Sequence, residues 1–126
     1  LTRTQGLEQI TVDHEVGQRE IQKGIDPELA YSRPDSYQLT QALGPREEQF
    51  VRPDVQFLDI EEDTVLLLAS DGLTDNNLLE IFCETQLNPL LNPETPLATA
   101  VDGLIALANQ HNGHDNITAI VVRAWV

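Results

Sequence analysis

Two aspartates stand out because each lies where a predicted apolar strand begins or ends. Residues 69–75 read A-S-D-G-L-T-D, so Asp71 follows an apolar run and precedes a glycine. Residues 113–118 read G-H-D-N-I-T, so Asp115 comes just before a second apolar run. If these strands are neighbours, both carboxylates lie at one edge of a sheet, and carboxylate oxygens suit Mg²⁺ or Mn²⁺ better than Zn²⁺. The spacing therefore indicates a candidate divalent-metal site.

Each of these features also has an ordinary structural interpretation. An aspartate beside a glycine is more often a turn or capping residue than a ligand. Asp75 could add a ligand, although capping of the next helix is the safer interpretation. His114 could orient Asp115, and His14 is better explained by capping or packing than by acid–base chemistry. Ser70 lacks the G-x-S-x-G context of an activated nucleophile.

The apolar pattern predicts strands that are followed late in the chain by two packed helices. Strands are expected at 38–43, 55–60, 64–69 and 117–126, a hairpin at 1–11, and helices at 16–23, from 27 onward, at 78–82 and at 97–112. The stripe Leu97, Val101, Leu104, Ile105 and Ala108 makes the last helix the clearest. The run at 64–69 suits a strand buried on both faces. This order predicts an α+β fold with a mainly antiparallel sheet.

Composition limits the classes of partner. The chain has 126 residues, one domain's worth, with 7 Lys and Arg against 21 Asp and Glu, for a net charge of −14. Such acidity argues against binding nucleic acid or an anionic membrane surface. No apolar run approaches the roughly 20 residues of a membrane span. The lone Cys83 excludes an internal disulfide and favours a reducing, cytoplasmic location. The absence of Met and the opening at Leu1 suggest a portion of a longer protein.

Four motifs together resemble the type-2C, metal-dependent protein Ser/Thr phosphatase family. Residues 69–75 resemble its "S-D-G-L-x-D" motif, and 113–118 its closing "D-N-I-T" motif. Residues 11–14, T-V-D-H, are similar to its "T-x-D-H" stretch, and 39–44, L-T-Q-A-L-G, to its "L-T-x-A-L-G" strand. The motifs follow the family's order over nearly the whole chain, residues 1–126, which resembles the C-terminal half of the family's domain.

The resemblance implies an antiparallel β-sandwich flanked by helices, of which this chain is only the C-terminal half. It implies a binuclear or larger Mn²⁺/Mg²⁺ site at one rim, where metal-activated water hydrolyses phosphoserine or phosphothreonine in a phosphoprotein substrate. By this carry-over Asp71 and Asp115 are metal ligands. The helical segment 14–36 corresponds to the flap beside the site, and we expect it to bury little and to be mobile.

One departure from the family's pattern limits the expected activity. The "D-G-x-G-G" motif is absent, and the family's phosphate-contacting Arg and proposed catalytic His also belong to the N-terminal half. We therefore assign no catalytic residue within this chain, and we expect it to be inactive or nearly so by itself, with an incomplete metal site. Two alternatives stay open: a noncatalytic phosphatase-like module for regulation or protein binding, and self-association through unpaired strand edges.

Overall fold

The computed structural model describes residues 1–44 and 47–126, and only the backbone of Glu48. In chain order the helices are α1 (Val16–Gln22), α2 (Pro27–Tyr31), α3 (Asp71–Thr74), α4 (Leu78–Ile81) and α5 (Leu97–Asn112), and the strands are β1 (Thr64–Ala69) and β2 (Ala119–Ala124). Short 3₁₀ turns occupy Glu48–Phe50, Asp75–Asn77 and Asn88–Leu91, and a π-helical turn occupies Cys83–Leu87. The chain divides into two units, named after the sequence motifs that they contain. The catalytic-motif unit, Leu1–Glu8 with Leu58–Val126, contains the motifs at 69–75 and 113–118 and no assigned catalytic residue, and the flap-motif unit, Gln9–Phe57, contains the segment 14–36.

The catalytic-motif unit is built around an antiparallel pair of strands. β1 and β2 pair in register from Thr64 opposite Ala124 to Ala69 opposite Ala119. A single buried cluster lies beside them, comprising Val65, Leu73, Leu78, Leu87, Leu90, Leu91, Leu104 and Ala108. The α5 stripe supplies Leu104 and Ala108 to this cluster, which confirms the helix predicted at 97–112. Residues of β1 and α5 thus share one hydrophobic core, against which β2 also packs.

The prediction that β1 is buried on both faces is wrong. Val65 is buried and Leu67 packs against the core, whereas Leu68 on the opposite face is 55% exposed. Its partner on β2, Ile120, is equally exposed. Successive side chains of a strand point to opposite faces, and among the described residues the core cluster covers only one of them. The apolar residues of β1 therefore form one packed face and one open face.

Two other predicted strands are absent from the described chain. Residues 38–43 make only an isolated bridge, from Leu39 to Glu15, and residues 51–60 contain neither helix nor strand. The hairpin at 1–11 reduces to a turn at Gly6, which has φ +75° and bridges to Thr2. Alternating apolar residues become a strand only when a neighbouring backbone completes the hydrogen-bond ladder, and these segments lack one here.

The flap-motif unit confirms both helices predicted for it. α1 is followed by Gly24 at φ +91°, and α2 begins at Pro27 with Asp26 as its cap. The Asp26 carboxylate accepts hydrogen bonds from the backbone N–H groups of Glu28 and Leu29. Start and stop signals that act within a few residues were thus sufficient to place these helices.

The α+β class and the antiparallel pairing predicted from the sequence are confirmed. The described residues contain one two-stranded sheet, so a sandwich of two sheets is not seen within residues 1–44 and 47–126. None of the helices in these residues is both long and apolar enough to cross a membrane.

Candidate functional site

Asp71 lies where the chain leaves the sheet and enters a helix. β1 ends at Ala69, Ser70 follows, and α3 begins at Asp71 itself. The side chain is exposed, and its Oδ1 accepts a hydrogen bond of 2.9 Å from the backbone N–H of Gly72. This contact uses only one carboxylate oxygen and orients the group at the strand end.

Asp115 occupies the corresponding place at the start of the other strand. It lies between the end of α5 and the beginning of β2, and its side chain is also exposed. Its Oδ1 accepts a 2.6 Å hydrogen bond from the backbone N–H of Asn116. Each aspartate therefore has the same local arrangement, in which the following amide holds one carboxylate oxygen.

Residues 70–72 and 115–118, called here the two aspartate loops, are held directly against each other. Because Ala69 pairs with Ala119, the end of β1 and the start of β2 share one edge of the sheet. Beyond that pair, the Ser70 N–H donates to the carbonyl of Thr118 at 3.0 Å. A Cβ added to Gly72 would lie only 2.4 Å from the carbonyl oxygen of Asn116. The structure thus brings the loops of both predicted ligands to one edge, as the spacing indicated.

Asn112 holds α3 and the 3₁₀ turn that follows it through side-chain hydrogen bonds. This buried side chain donates from Nδ2 to the carbonyls of Asp75, at 2.9 Å, and Gly72, at 3.4 Å. Its Oδ1 accepts a 3.0 Å hydrogen bond from the side chain of Asn76, which has φ +59°. This role was not predicted from the sequence, because a polar residue at a helix end ordinarily indicates only where the helix stops.

The remaining polar candidates have more modest surroundings. Asp75 and His114 are both exposed, and His114 Nε2 lies 4.0 Å from the Asp75 carboxylate. His14 belongs to the flap-motif unit, where its ring bonds the carboxylate of Asp54 at 2.8 Å. The capping or packing role preferred for His14 stays a prediction, and Asp75 directly follows α3, the helix that begins at Asp71.

The donor set suits a hard divalent cation in kind but is short in number. Asp71 and Asp115 offer exposed carboxylate oxygens, which Mg²⁺ and Mn²⁺ prefer. Within the described residues, no group of three or more His, Cys, Asp or Glu side chains is arranged to hold a metal ion. Since Mg²⁺ requires about six oxygens in octahedral geometry, this edge fits part of a coordination shell and not a complete one.

The relatives found by comparison with known proteins are named as protein phosphatases. The chain is 31% identical over 123 residues to protein phosphatase PhpP of Streptococcus pneumoniae, covering 97% of this chain and 47% of that protein. It is 33% identical over 117 residues to serine/threonine phosphatase stp of Listeria monocytogenes, covering 92% and 44% respectively. A Streptococcus pyogenes protein named for the 2C type of protein phosphatase is 30% identical over 114 residues, covering 90% and 44%.

The chain spans about half the length of the curated relatives that it matches. No family model matches it, and no solved structure does. The relatives cover nearly all of the chain, as do the four motifs that resemble the family's C-terminal half. That resemblance is confirmed: over nearly all of its length, the chain is similar to proteins named as type-2C and serine/threonine protein phosphatases.

Proposed function

We propose that this chain is part of a phosphatase that hydrolyses phosphoserine and phosphothreonine in proteins, with Asp71 and Asp115 as ligands of Mn²⁺ or Mg²⁺. The supporting observation is the close packing of the two aspartate loops, in which Gly72 has no room for a Cβ against the carbonyl of Asn116. When bound, such ions lower the pKa of water and neutralise charge on phosphoryl oxygens. The names of the relatives support the reaction class.

The contribution of this chain is to orient two carboxylates before a cation arrives. The amides of Gly72 and Asn116 hold one oxygen of each aspartate, so less freedom is lost when the other oxygen binds an ion. Both side chains are exposed, which leaves them accessible to a hydrated cation. Two carboxylates do not complete an octahedral shell, so further ligands would come from outside this chain.

We extend the proposal to the family's β-sandwich, of which β1 and β2 would be part of one layer. The open face of the pair carries Leu66, Leu68, Ile120 and Val122, of which the last three are substantially exposed. An apolar sheet face normally packs against a second layer, and the relatives are about twice as long as this chain. Self-association through the sheet edges stays a prediction, as does a flap role for residues 14–36.

We propose that the isolated chain has little or no phosphatase activity, because its metal ligands are incomplete. The substrate p-nitrophenyl phosphate with added Mn²⁺ provides the test. Hydrolysis no faster than that of a buffer blank is expected, and sustained turnover by the purified chain would contradict the proposal. The cytoplasmic location also stays a prediction, based on the single Cys83.

Calorimetric titration with Mn²⁺ tests the proposed ligands directly. We expect weak binding, roughly millimolar, because few ligands are present. Asp71→Asn and Asp115→Asn should each abolish the heat of binding. Asp102→Asn provides the matched control, since Asp102 is an exposed acid on α5 of the same unit and its replacement changes the net charge equally. Heats unchanged by both site variants, or reduced equally by the control, would remove these aspartates from a metal site.

A further inference from the structure

Ser70 joins the two aspartate loops in an unusual way. Its carbonyl accepts a 3.0 Å hydrogen bond from the N–H of Leu73, and so belongs to the first turn of α3. That carbonyl is therefore turned away from the ladder that pairs β1 with β2. The hydroxyl takes its place, because Ser70 Oγ accepts a 3.0 Å hydrogen bond from the N–H of Thr118. A single residue thus ends the strand and starts the helix while keeping its contact with the opposite chain.

The same hydroxyl also makes a second contact across the gap. Ser70 Oγ donates to the carbonyl of Asn116 at 3.1 Å, so its one donor and one of its two acceptor lone pairs are used. Asn116 directly follows Asp115, and Ser70 directly precedes Asp71. Ser70 is therefore next to Asp71 in the sequence, and its hydroxyl bonds the residue next to Asp115. Its two hydrogen-bond partners, Asn116 and Thr118, are 46 and 48 positions away from it in the sequence.

We infer that Ser70 is a positioning residue that sets the separation of the Asp71 and Asp115 carboxylates, and hence the affinity of the edge for a divalent cation. This inference rests on the metal site proposed above. In this role Ser70 acts through the hydrogen bonds of its hydroxyl to two backbone groups and is not itself proposed as a ligand. Residues that orient metal ligands in this way typically change metal affinity by about 10- to 100-fold when they are replaced.

Gly72 supports the inference independently, since it acts on the same carbonyl by its size. A Cβ at this position would lie 2.4 Å from the Asn116 oxygen and 3.1 Å from the Asn116 carbonyl carbon, both backbone atoms. Neither contact can be relieved by a side-chain rotation. The separation of the loops is thus fixed from one side by the Ser70 hydroxyl and from the other by the absence of a side chain at Gly72.

The test is a titration of the ¹⁵N-labelled chain with Mg²⁺, followed through the backbone amide shifts of Gly72 and Asn116. NMR shifts report millimolar binding residue by residue. Both amides should titrate with one midpoint in the natural sequence. Ser70→Ala should raise the midpoint about tenfold or more, or separate the two midpoints, whereas Ser70→Thr keeps a hydroxyl and should restore the natural midpoint within about twofold.

Two further variants separate positioning from a general loss of structure. Thr95→Val removes another hydroxyl that bonds a backbone carbonyl in this unit, that of Pro89 at 2.7 Å, and should leave the midpoint unchanged. Gly72→Ala keeps the Ser70 hydroxyl but forces the loops apart, and should weaken Mg²⁺ binding as Ser70→Ala does. The α5 amide shifts show whether each variant is folded, and Gly72→Ala provides the test if Ser70→Ala is not.

The outcomes distinguish this inference from the function on which it rests. If Asp71→Asn abolishes the titration but Ser70→Ala and Gly72→Ala bind like the natural chain, the metal site stands and the positioning role is wrong. If Ser70→Thr fails to restore what Ser70→Ala loses, the hydroxyl is not the responsible group and the inference is likewise overturned. If Asp71→Asn leaves the titration intact, the proposed metal site itself fails.

Discussion

The two units of the chain are stabilised in different ways. In the catalytic-motif unit, eight buried apolar residues form one cluster beneath the sheet and α5. In the flap-motif unit, Val16 and Ala30 are the buried apolar side chains among the residues that the structure describes. Polar contacts such as the Asp26 cap and the exposed His14–Asp54 pair add to this smaller core. The proposed ligands therefore lie on the unit with the larger hydrophobic core.

Removing a core side chain should have the largest effect and should be specific to the catalytic-motif unit. Leu104→Ala should lower the free energy of unfolding by about 3 kcal/mol, because it leaves a cavity at a residue that is only 1% exposed. Urea unfolding followed by the fluorescence of Trp125, the single tryptophan, reports this unit. Leu29→Ala, at a 61% exposed position of the other unit, should change stability by less than about 0.5 kcal/mol. Equal losses from the two variants would contradict the comparison.

Crowding a glycine should affect the flap-motif unit in turn. A Cβ on Gly17 would lie 2.8 Å from Cε1 of Tyr31, so Gly17→Ala should cost that unit about 1–3 kcal/mol. Urea unfolding followed by the near-ultraviolet circular dichroism of the two tyrosines, Tyr31 and Tyr37, measures this loss of stability, since both belong to this unit.

Gly103→Ala is the matched control in the other unit. Its new Cβ would meet only Gln86 Oε1 at an ordinary 3.6 Å, within the helix α5. It should stabilise the catalytic-motif unit by roughly 0.5–1 kcal/mol, because alanine favours helix over glycine. A destabilised Gly103→Ala, or a Gly17→Ala chain with unchanged tyrosine signals, would contradict these packing assignments.

Removing the cap of α2 should have a smaller and local effect. Asp26→Ala should cost about 1 kcal/mol, since the N–H groups of Glu28 and Leu29 lose their acceptor. Amide hydrogen exchange should accelerate at these two positions and remain unchanged in α5. Acceleration throughout both units would mean that they unfold as one cooperative unit, which would contradict their separate stabilisation.

Tyr31 should give the mildest signature, visible only in strong base. Burial and the hydrogen bond that its hydroxyl donates to Glu15 raise its pKa from 10.0 to about 12. A raised folded-state pKa contributes stability that is complete below pH 10 and is lost as the pH rises through about 12. In a Tyr37→Phe background, the tyrosinate absorbance should therefore rise with a midpoint near 12.

Glu15→Gln removes the charged acceptor and should shift this midpoint toward 10. The variant keeps the size of the side chain, which makes the two titrations comparable. A midpoint near 10 in both chains would show that the Tyr31 hydroxyl is free in solution.

Features with local causes were predictable from the sequence. The apolar stripe located α5, and the Asp26–Pro27 pair located α2. The two apolar runs located a strand end beside each of Asp71 and Asp115, whereas their meeting at one edge was predicted only on the condition that the two strands are neighbours. These signals depend on residues a few positions apart, which a single sequence displays.

Features with distant causes were not predictable. The strands expected at 38–43 and 55–60 do not form, because the alternation of apolar and polar residues does not reveal whether a partner backbone is present. Asn112 and Ser70 were missed as site residues because their contacts span 36 to 48 positions in the sequence. Both are polar residues at element ends, where a capping or turn role is the ordinary expectation.

Anomalous X-ray diffraction from crystals of this chain soaked in Mn²⁺ would show whether Asp71 and Asp115 share a divalent cation. We predict one anomalous peak within about 2–2.5 Å of a carboxylate oxygen of each aspartate. The peak should be absent from an Asp71→Asn crystal soaked in the same way. Manganese bound elsewhere, with no peak beside either residue, would show that Asp71 and Asp115 do not share a cation.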